Sequence, residues 1–196
     1  MTLESVLDFF FPPQCGGCNE IGSGLCERCA SPDSQLRRTQ ATLHVDALGP
    51  YEGDLRRAVL ALKSGRRDVA RAAALRLAEL TPADAAIVPV PTTLLRRLER
   101  GFDGCVLMAQ TIAAVRAGTV IDGLRQVRGD RQRGRSRGAR LAARGRFQWH
   151  GERLDGMQAV LLDDVVTTGA TLEDCANVIR AAGGAVSRAI AIALTP

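Results

Sequence analysis

Two adjacent carboxylates followed by a threonine-rich turn form the segment of this sequence best suited to chemistry. The stretch VLLDDVVTTGATL places Asp163 and Asp164 directly after an apolar run. The turn at residues 165–170 offers several backbone N–H groups, and the helix predicted behind it adds its N-terminus, so the two together suit an anion such as a phosphate. Gly169 has no side chain that could block a close approach to this turn.

The acidic pair fits a different part of the same ligand. Two carboxylates cannot hold a phosphate, but they accept hydrogen bonds from vicinal hydroxyls such as those of a ribose. A ribose 5-phosphate group therefore satisfies both halves of the motif. The chain has neither the G-x-x-x-x-G-K-[ST] loop of nucleoside triphosphatases nor the G-x-G-x-x-G loop of dinucleotide-binding proteins.

Four cysteines form a second chemical pattern. Cys15 and Cys18 in CGGC are followed by Cys26 and Cys29 in CERC, and two such turns can supply four thiolates to a tetrahedral zinc ion. Two disulfides or a thioredoxin-like redox motif would use the same residues. A reducing cytosol disfavours the disulfides, and no βαβ unit follows to support the redox motif. We predict a structural zinc module at residues 1–34, which owes its folding to the metal because about thirty residues bury little core.

The remaining cysteines and the histidines are interpreted as structural. Cys105 and Cys175 lie within helical apolar patterns, which is typical of small buried core residues. His44 and His150 are not placed near another candidate catalytic group, so we expect them at the surface or in strands.

Strand and helix patterns alternate around these motifs. Strands are predicted in ATLHVDALGPY, AAIVPVP, MQAVLLD and AVSRAIAIAL, and helices at residues 54–63, 69–80 and 106–113 and after Gly169. The polar stretch at residues 31–40 is predicted to be a linker. The alternation predicts a mostly parallel α/β sheet with helices on both faces over residues 35–196. Ligands of such sheets bind outside the carboxyl ends of the strands, where the acidic pair lies.

Composition limits the class of protein. The chain has 196 residues, 46% of them hydrophobic, and a net charge of +5, as expected for a soluble domain with a small appendage. Its basic residues are arginines except for Lys63. No apolar stretch approaches the roughly 20 residues that span a bilayer, and the N-terminal residues lack the features of a signal peptide. We expect a cytoplasmic protein with no membrane contact, and the oligomeric state is not predicted.

Several motifs of the chain resemble those of a known family. VLLDDVVTTGATL resembles the phosphoribosyl pyrophosphate (PRPP) loop of type I phosphoribosyltransferases. The four-cysteine module, ALKSGRRDVA, IVPVPTTLLRRLERGF and this loop, in that order, are similar to the ComF family of amidophosphoribosyltransferase-like proteins associated with competence and with GntX. The resemblance covers nearly the whole chain. It implies a type I phosphoribosyltransferase-like fold and a Mg²⁺-dependent transfer of phosphoribosyl from PRPP to an unknown nitrogenous acceptor, with release of pyrophosphate.

The resemblance also implies roles for individual residues. Asp163 and Asp164 would hold the 2′ and 3′ hydroxyls of the ribose. The 5′-phosphate would be wrapped by Val165, Val166, Thr167, Thr168, Gly169, Ala170 and Thr171. The turn at Pro91 and Thr92 would bind pyrophosphate, with Arg97 and Arg100 near the diphosphate. Lys63 loosely matches the family's K-x-x-G element as KSG, and a favourable charge at the end of a helix explains it equally well.

A strongly basic segment lies between the predicted elements. Residues 125–146 contain nine arginines and one acidic residue, Asp130, a net charge of +8. Such a segment is a solvated loop, a nucleic-acid contact, or the flexible hood that closes over PRPP in the wider superfamily. The chain departs from the family pattern here, because Arg135 stands where leucine is expected and Ala142 where asparagine is expected.

Two functions from different classes fit these features. The first is an enzyme that transfers phosphoribosyl to, or removes it from, a nitrogenous acceptor. The second is a non-catalytic PRPP-binding accessory factor in DNA uptake or recombination that contacts single-stranded DNA through the basic segment. Single-strand platforms normally interleave aromatic rings with basic groups, whereas only Phe147 and Trp149 stand at the edge of this segment.

Overall fold

A six-stranded sheet is the main feature of the computed structural model, which describes residues 12–40, 42–93, 98–127 and 146–195. Its strands are β1 (Leu36–Gln40), β2 (Leu43–Pro50), β3 (Ala86–Pro89), β4 (Thr119–Val120), β7 (Gln158–Val166) and β8 (Ala185–Leu194), and β5 (Leu124–Gln126) and β6 (Phe147–Trp149) form a second, two-stranded sheet. The helices include α1 (Gly53–Lys63), α2 (Arg67–Leu80), α3 (Gly104–Arg116) and α4 (Ala170–Ala181).

The strand order of the main sheet is β1-β2-β8-β7-β3-β4. Every neighbouring pair from β2 to β4 is parallel, and only β1 pairs antiparallel, at the edge. The predicted mostly parallel α/β sheet is therefore confirmed. Because parallel strands end at the same edge, the carboxyl ends of β2, β3 and β7 lie on one side of the sheet.

Side chains of β7 show how both faces of the sheet are covered. Leu162 belongs to the buried cluster shared with α1, α2 and α3, whereas Leu161 belongs to the cluster shared with α4. Successive side chains of a strand point to opposite faces, so a strand buried on both faces reads as a continuous apolar run. The predicted placement of helices on both faces is confirmed.

The linker prediction for residues 31–40 is wrong. Pro32–Ser34 forms a single 3₁₀ turn, and β1 follows it and pairs antiparallel with β2. Leu36 packs against the buried cluster on the α4 face. An edge strand tolerates polar and charged residues because one of its sides meets solvent, and these residues hide its strand pattern in the sequence.

The two cysteine turns pack directly onto α1 and α2. Cys15, Leu25 and Cys29 belong to the same buried cluster as these helices. A Cβ atom added at Gly16 would lie 2.9 Å from Val69 Cγ2, and one at Gly17 would lie 2.8 Å from the carbonyl oxygen of Asp54. The glycines of CGGC therefore permit close contact with the helices. The division at residue 34 into a zinc module and an α/β domain stays a prediction.

None of the helices within the described ranges has the length and apolar character that a membrane span requires.

Candidate functional site

A cleft of about 370 Å³ opens at the carboxyl ends of β2, β3 and β7. Three stretches distant in the sequence meet there, and most of the residues predicted from sequence line it. These are Lys63, Pro91, Thr92, Arg100, Asp163, Asp164, Val165, Thr167 and Thr171. The cleft thus lies at the carboxyl ends of the parallel strands, where ligands of such sheets bind.

The remaining residues of the predicted phosphate loop surround the cleft without lining it. Val166 and Gly169 are buried, and Thr168 and Ala170 are exposed. Gly169 has a φ of 68°, in the left-handed region that favours glycine, and it directly precedes α4. Ala170 donates its N–H to Thr168 Oγ1 at 3.5 Å. Residues 167–169 therefore form a tight turn between β7 and α4.

Asp163 and Asp164 lie within β7 and not in the turn after it. Both side chains line the same cleft, so the negative charge of each acts on the other. Asp164 is on the α1 face, where its Oδ2 lies 3.3 Å from Lys63 Nζ. The Oδ1 atom of Asp163 accepts a hydrogen bond from the backbone N–H of Asp164 at 2.8 Å.

The two carboxyl groups have different electrostatic environments. Burial, and next the negative charge of Asp164, raise the pKa of Asp163 to about 7, while the ammonium of Lys63 acts in the opposite direction. The Lys63 and Asp164 side chains are only 29% and 18% exposed. The cleft thus holds one carboxylate paired with a cation and a second that carries a proton more readily than usual.

Lys63 is the last residue of α1, and both explanations of it from sequence match its position. It stands at a helix C-terminus, where a cation is favourable, and its side chain also lines the cleft. Gly65, with a φ of 105°, turns the chain directly after the helix. The chain thus turns directly after Lys63, whose side chain contacts Asp164 of β7.

The predicted pyrophosphate turn follows β3. The backbone N–H of Val90 donates to the carbonyl of Leu162 at 2.8 Å, which continues the pairing of β3 with β7 beyond the strand. Pro91, Thr92 and Thr93 then line the cleft, as does Arg100. Arg97 lies outside the described residues.

Some residues of the cleft were missed from sequence. Tyr51 directly follows β2, and its N–H donates to Leu194 O at 2.9 Å. The carboxyl-end rule applied to β2 would have found it. Phe147 is in the small β5–β6 sheet, whose three-residue strands are too short for a periodic signal, and Gln126 and Arg146 reach the cleft from the ends of the predicted basic segment.

The predicted basic segment is described only at its ends. Arg125 and Gln126 belong to β5, and Arg146 precedes β6 and forms an ion pair with Asp174 on α4 at 2.8 Å. Residues 128–145 lie outside the described residues. Arg146 therefore brings one charge of this segment to the wall of the cleft.

The four cysteines of the N-terminal turns form a cluster that fits a metal ion. Their Sγ atoms all lie within 4.8 Å of one another, and those of Cys18 and Cys26 are 3.6 Å apart. Sulfurs bound to one tetrahedral zinc ion at about 2.3 Å are separated by about 3.8 Å. The backbone N–H groups of Gly17 and Cys26 each donate to Cys15 Sγ at 3.4 Å, as expected around a thiolate ligand. None of the described cysteines forms a disulfide.

Charged groups around the cluster connect it to α1. A backbone hydrogen bond at Glu20, together with the guanidinium of Arg28, lowers the pKa of Cys18 to about 6, which favours the thiolate. Cys29 Sγ lies 3.2 Å from Asp54 Oδ2, and Arg57 Nε donates to Gly17 O at 2.7 Å. The first turn of α1 is thus bound to the cysteine turns, while its last residue lines the cleft.

Comparison with known proteins bears out the resemblance drawn from the motifs. The chain is 30% identical to competence protein ComFC of Bacillus subtilis over 101 residues, which are 52% of this chain and 40% of that protein. The match thus spans less than half the length of the Bacillus protein. No model of a protein family matches the chain.

Similar solved structures include two phosphoribosyltransferases and a UMP synthase. Orotate phosphoribosyltransferase from Aeropyrum pernix has a TM-score of 0.40 and 23% identity, with 71% of this chain and 64% of that chain covered. UMP synthase from Leishmania donovani has a TM-score of 0.40 and 19% identity, with 70% and 24% covered. Purine phosphoribosyltransferase from Pyrococcus horikoshii has a TM-score of 0.31 and 22% identity, with 69% and 71% covered.

Proposed function

We propose that the cleft binds PRPP with Mg²⁺ and that the protein transfers its phosphoribosyl group to a nitrogenous acceptor with release of pyrophosphate. Asp163 and Asp164 hold the ribose hydroxyls, and the turn after β7 holds the 5′-phosphate. The turn at Pro91 and Thr92, with Arg100, holds the diphosphate. Arg97, outside the described residues, belongs to the same diphosphate site in this proposal.

One observation carries the proposal. The acidic pair, the turn after β7 and the turn after β3 line a single cleft, although more than 70 residues separate the two turns in the sequence. PRPP has a ribose between a 5′-phosphate and a 1-diphosphate. A ligand of this shape needs two anion sites and a hydroxyl-binding site, and the three segments that line the cleft offer groups suited to each.

The reaction requires little of the protein side chains except that they position the ligand and supply charge. The bond between C1 of the ribose and the pyrophosphate oxygen breaks, its electron pair leaves with pyrophosphate, and the acceptor nitrogen forms a bond to C1. The positive charge that develops on the sugar is stabilised by nearby carboxylates, and the leaving pyrophosphate by arginine. Mg²⁺ bound with the diphosphate would neutralise part of its charge, and phosphate and carboxylate oxygens are its usual ligands.

The experiment that tests the proposal has two parts. Calorimetric titration of PRPP with Mg²⁺ into the protein measures binding, and an assay of pyrophosphate release against pools of nitrogenous metabolites measures transfer. We expect saturable binding, and release that depends on a component of the pool. Lack of PRPP binding refutes the whole proposal, whereas binding without release refutes only the transfer.

A second candidate function is a non-catalytic PRPP-binding factor for DNA uptake or recombination that contacts single-stranded DNA. Two observations favour it: the relative in Bacillus subtilis is a competence protein, and nine arginines lie in residues 125–146. Contacts between arginine and phosphate make binding fall steeply with salt. Limited proteolysis separates the candidates, because a hood is protected at residues 128–146 by PRPP with Mg²⁺ and a DNA contact by an oligonucleotide.

For the cysteine cluster we propose a structural zinc ion in the module at residues 1–34. Four thiolates fill the coordination of zinc and leave no position for a substrate, which supports a structural role. Thiols kept reduced for a metal also agree with a cytoplasmic location.

A further inference from the structure

We propose that Arg38, on the edge strand β1, is a positioning residue that shapes the phosphate-binding turn after β7 without contacting the ligand. The inference rests on the proposed function, since it concerns the 5′-phosphate site of the same cleft. Nothing in the sequence motifs points to Arg38, which lies in the stretch predicted to be a linker.

The guanidinium of Arg38 bridges two backbone carbonyls. Its Nη1 donates to Thr167 O at 3.1 Å, and its Nη2 donates to Thr195 O. The first carbonyl belongs to the turn after β7 and the second to the residue after β8. A planar guanidinium presents its N–H groups at fixed angles, so it can hold both carbonyls in one relative orientation.

Thr195 binds the carbonyl of Val166, the residue directly before Thr167. Its backbone N–H donates to Val166 O at 2.9 Å, and its hydroxyl lies 3.5 Å from the same oxygen. The carbonyls of Val166 and Thr167 are consecutive, and both are held by the group formed by Arg38 and Thr195. In an extended strand, successive carbonyls point in opposite directions, so the backbone leaves the extended conformation at Thr167.

The consequence concerns the N–H groups of the turn. In a planar trans peptide, the C=O of one residue and the N–H of the next point in opposite directions. When the carbonyls of Val166 and Thr167 are held by Thr195 and Arg38, the N–H groups of Thr167 and Thr168 are directed away from them and to a common side. Two successive N–H groups on one side form a concave anion site, and Thr167 lines the cleft.

Arg37 provides a matched control on the same strand. It points to the opposite face of β1, where its Nε lies 3.1 Å from Asp46 Oδ1, and its side chain is 80% exposed. Arg37→Met and Arg38→Met remove the same charge and the same number of donors from adjacent positions. They differ in whether the carbonyl of Thr167 loses its donor.

The experiment measures two ligands that occupy different parts of the cleft. Ribose 5-phosphate probes the turn after β7, and pyrophosphate with Mg²⁺ probes the turn after β3, both by calorimetric titration. We expect Arg38→Met to weaken ribose 5-phosphate binding about tenfold, the effect of losing a charged hydrogen bond, and to leave pyrophosphate binding within twofold. Arg37→Met should change neither, and Arg38→Lys should restore part of the ribose 5-phosphate affinity.

Three results would overturn the inference. The first is wild-type affinity for ribose 5-phosphate in Arg38→Met. The second is an equal loss for both ligands, which indicates a general structural defect. The third is full rescue by Arg38→Lys, which indicates that charge alone matters because one ammonium cannot reproduce the two-nitrogen bridge.

A measurement without ligand keeps the inference separable from the proposed function. We expect ¹⁵N relaxation to show lower order parameters at Thr167 and Thr168 in Arg38→Met than in Arg37→Met. If the wild type binds neither ligand, the proposed function fails, and the role of Arg38 in shaping the turn is then decided by these amides. Equal order in the two variants would refute it.

Discussion

The Nζ atom of Lys63 lies 3.3 Å from Asp164 Oδ2 and so joins the end of α1 to the acidic pair of β7. The pair is partly buried, and the neighbouring Asp163 carries a raised pKa. Lys63 thus interacts with both carboxylates of a cleft that Arg100 and Arg146 also line. Its charge affects both the ionisation of the acids and the attraction of the cleft for an anionic ligand.

Replacing Lys63 should raise the pKa of Asp163 above its value of about 7, because the ammonium lowers that pKa in the wild type. Carboxyl ¹³C chemical shifts followed against pH in Lys63→Met measure the midpoint. Lys63→Arg keeps the charge and serves as the control, with a smaller expected change. An unaltered midpoint in Lys63→Met would show that the ammonium does not reach Asp163.

Asp164→Asn should weaken PRPP binding about 10- to 100-fold, because charge-assisted hydrogen bonds to the ribose are worth about 1.5 to 3 kcal/mol. Calorimetric titration of PRPP with Mg²⁺ measures the loss. Asp155→Asn makes the same change at a side chain that is 83% exposed and outside the cleft lining, and it should bind as the wild type does. Unchanged affinity in a folded Asp164→Asn protein would remove the acidic pair from the binding site.

The raised pKa of Asp163 predicts a pH dependence of stability. Its pKa rises from an ordinary 3.8 to about 7, so the folded protein holds a proton that the unfolded chain releases between these values. The resulting stability is complete below about pH 4 and is lost as the pH rises through 7. Urea unfolding at pH 5 and pH 8 should show a loss on the order of 1–3 kcal/mol from this group after allowance for solvent screening.

Asp163→Asn cannot bind or release this proton, so the variant should lose less stability than the wild type between pH 5 and pH 8. The comparison cancels the contributions of other titrating groups. Equal pH dependence in the two proteins would mean that Asp163 ionises normally in the folded state.

Metal analysis of the freshly reduced protein should find about one zinc per chain. Cys26→Ser should lose the metal, and because Cys15 and Cys29 pack with α1 and α2, the loss should lower the Tm of the whole protein by about 5 °C or more. Cys175→Ala, at a buried cysteine of α4, should keep the zinc. A metal-free Cys26→Ser protein with the wild-type Tm would show that the cysteine turns do not support the helices.

Most of the main sheet could be predicted from the sequence because its strands and helices have a strong pattern. Apolar runs correctly predicted β2, β3, β7 and β8, and the apolar spacing and stop signals predicted all four labelled helices. The prediction failed for β1, whose sequence LRRTQ has one apolar residue. Edge position and pairing partner make this segment a strand, and neither is visible in its local composition.

The candidate site could be predicted from sequence where a single continuous motif supplies it. Asp163, Asp164 and part of the turn behind them line the cleft, and they could be singled out because strand, acids and turn are adjacent in the chain. Tyr51 and Phe147 reach the cleft through the tertiary fold, from β2 and from the small second sheet. Arg38 acts on the backbone of the turn and not on the ligand, so no pattern of binding residues could include it.

The central position of β8 has a consequence for synthesis on the ribosome. The parallel partner of β2, β8, follows about 140 residues later, a delay on the order of ten seconds at the usual rate of translation. During this delay the edge of β2, joined at the end by the edge of β7 (Gln158–Val166), lacks the strand that pairs with both and is open to aggregation. A nascent chain stalled between residues 166 and 185 would present both edges at once, which suits it to a chaperone that binds extended apolar segments.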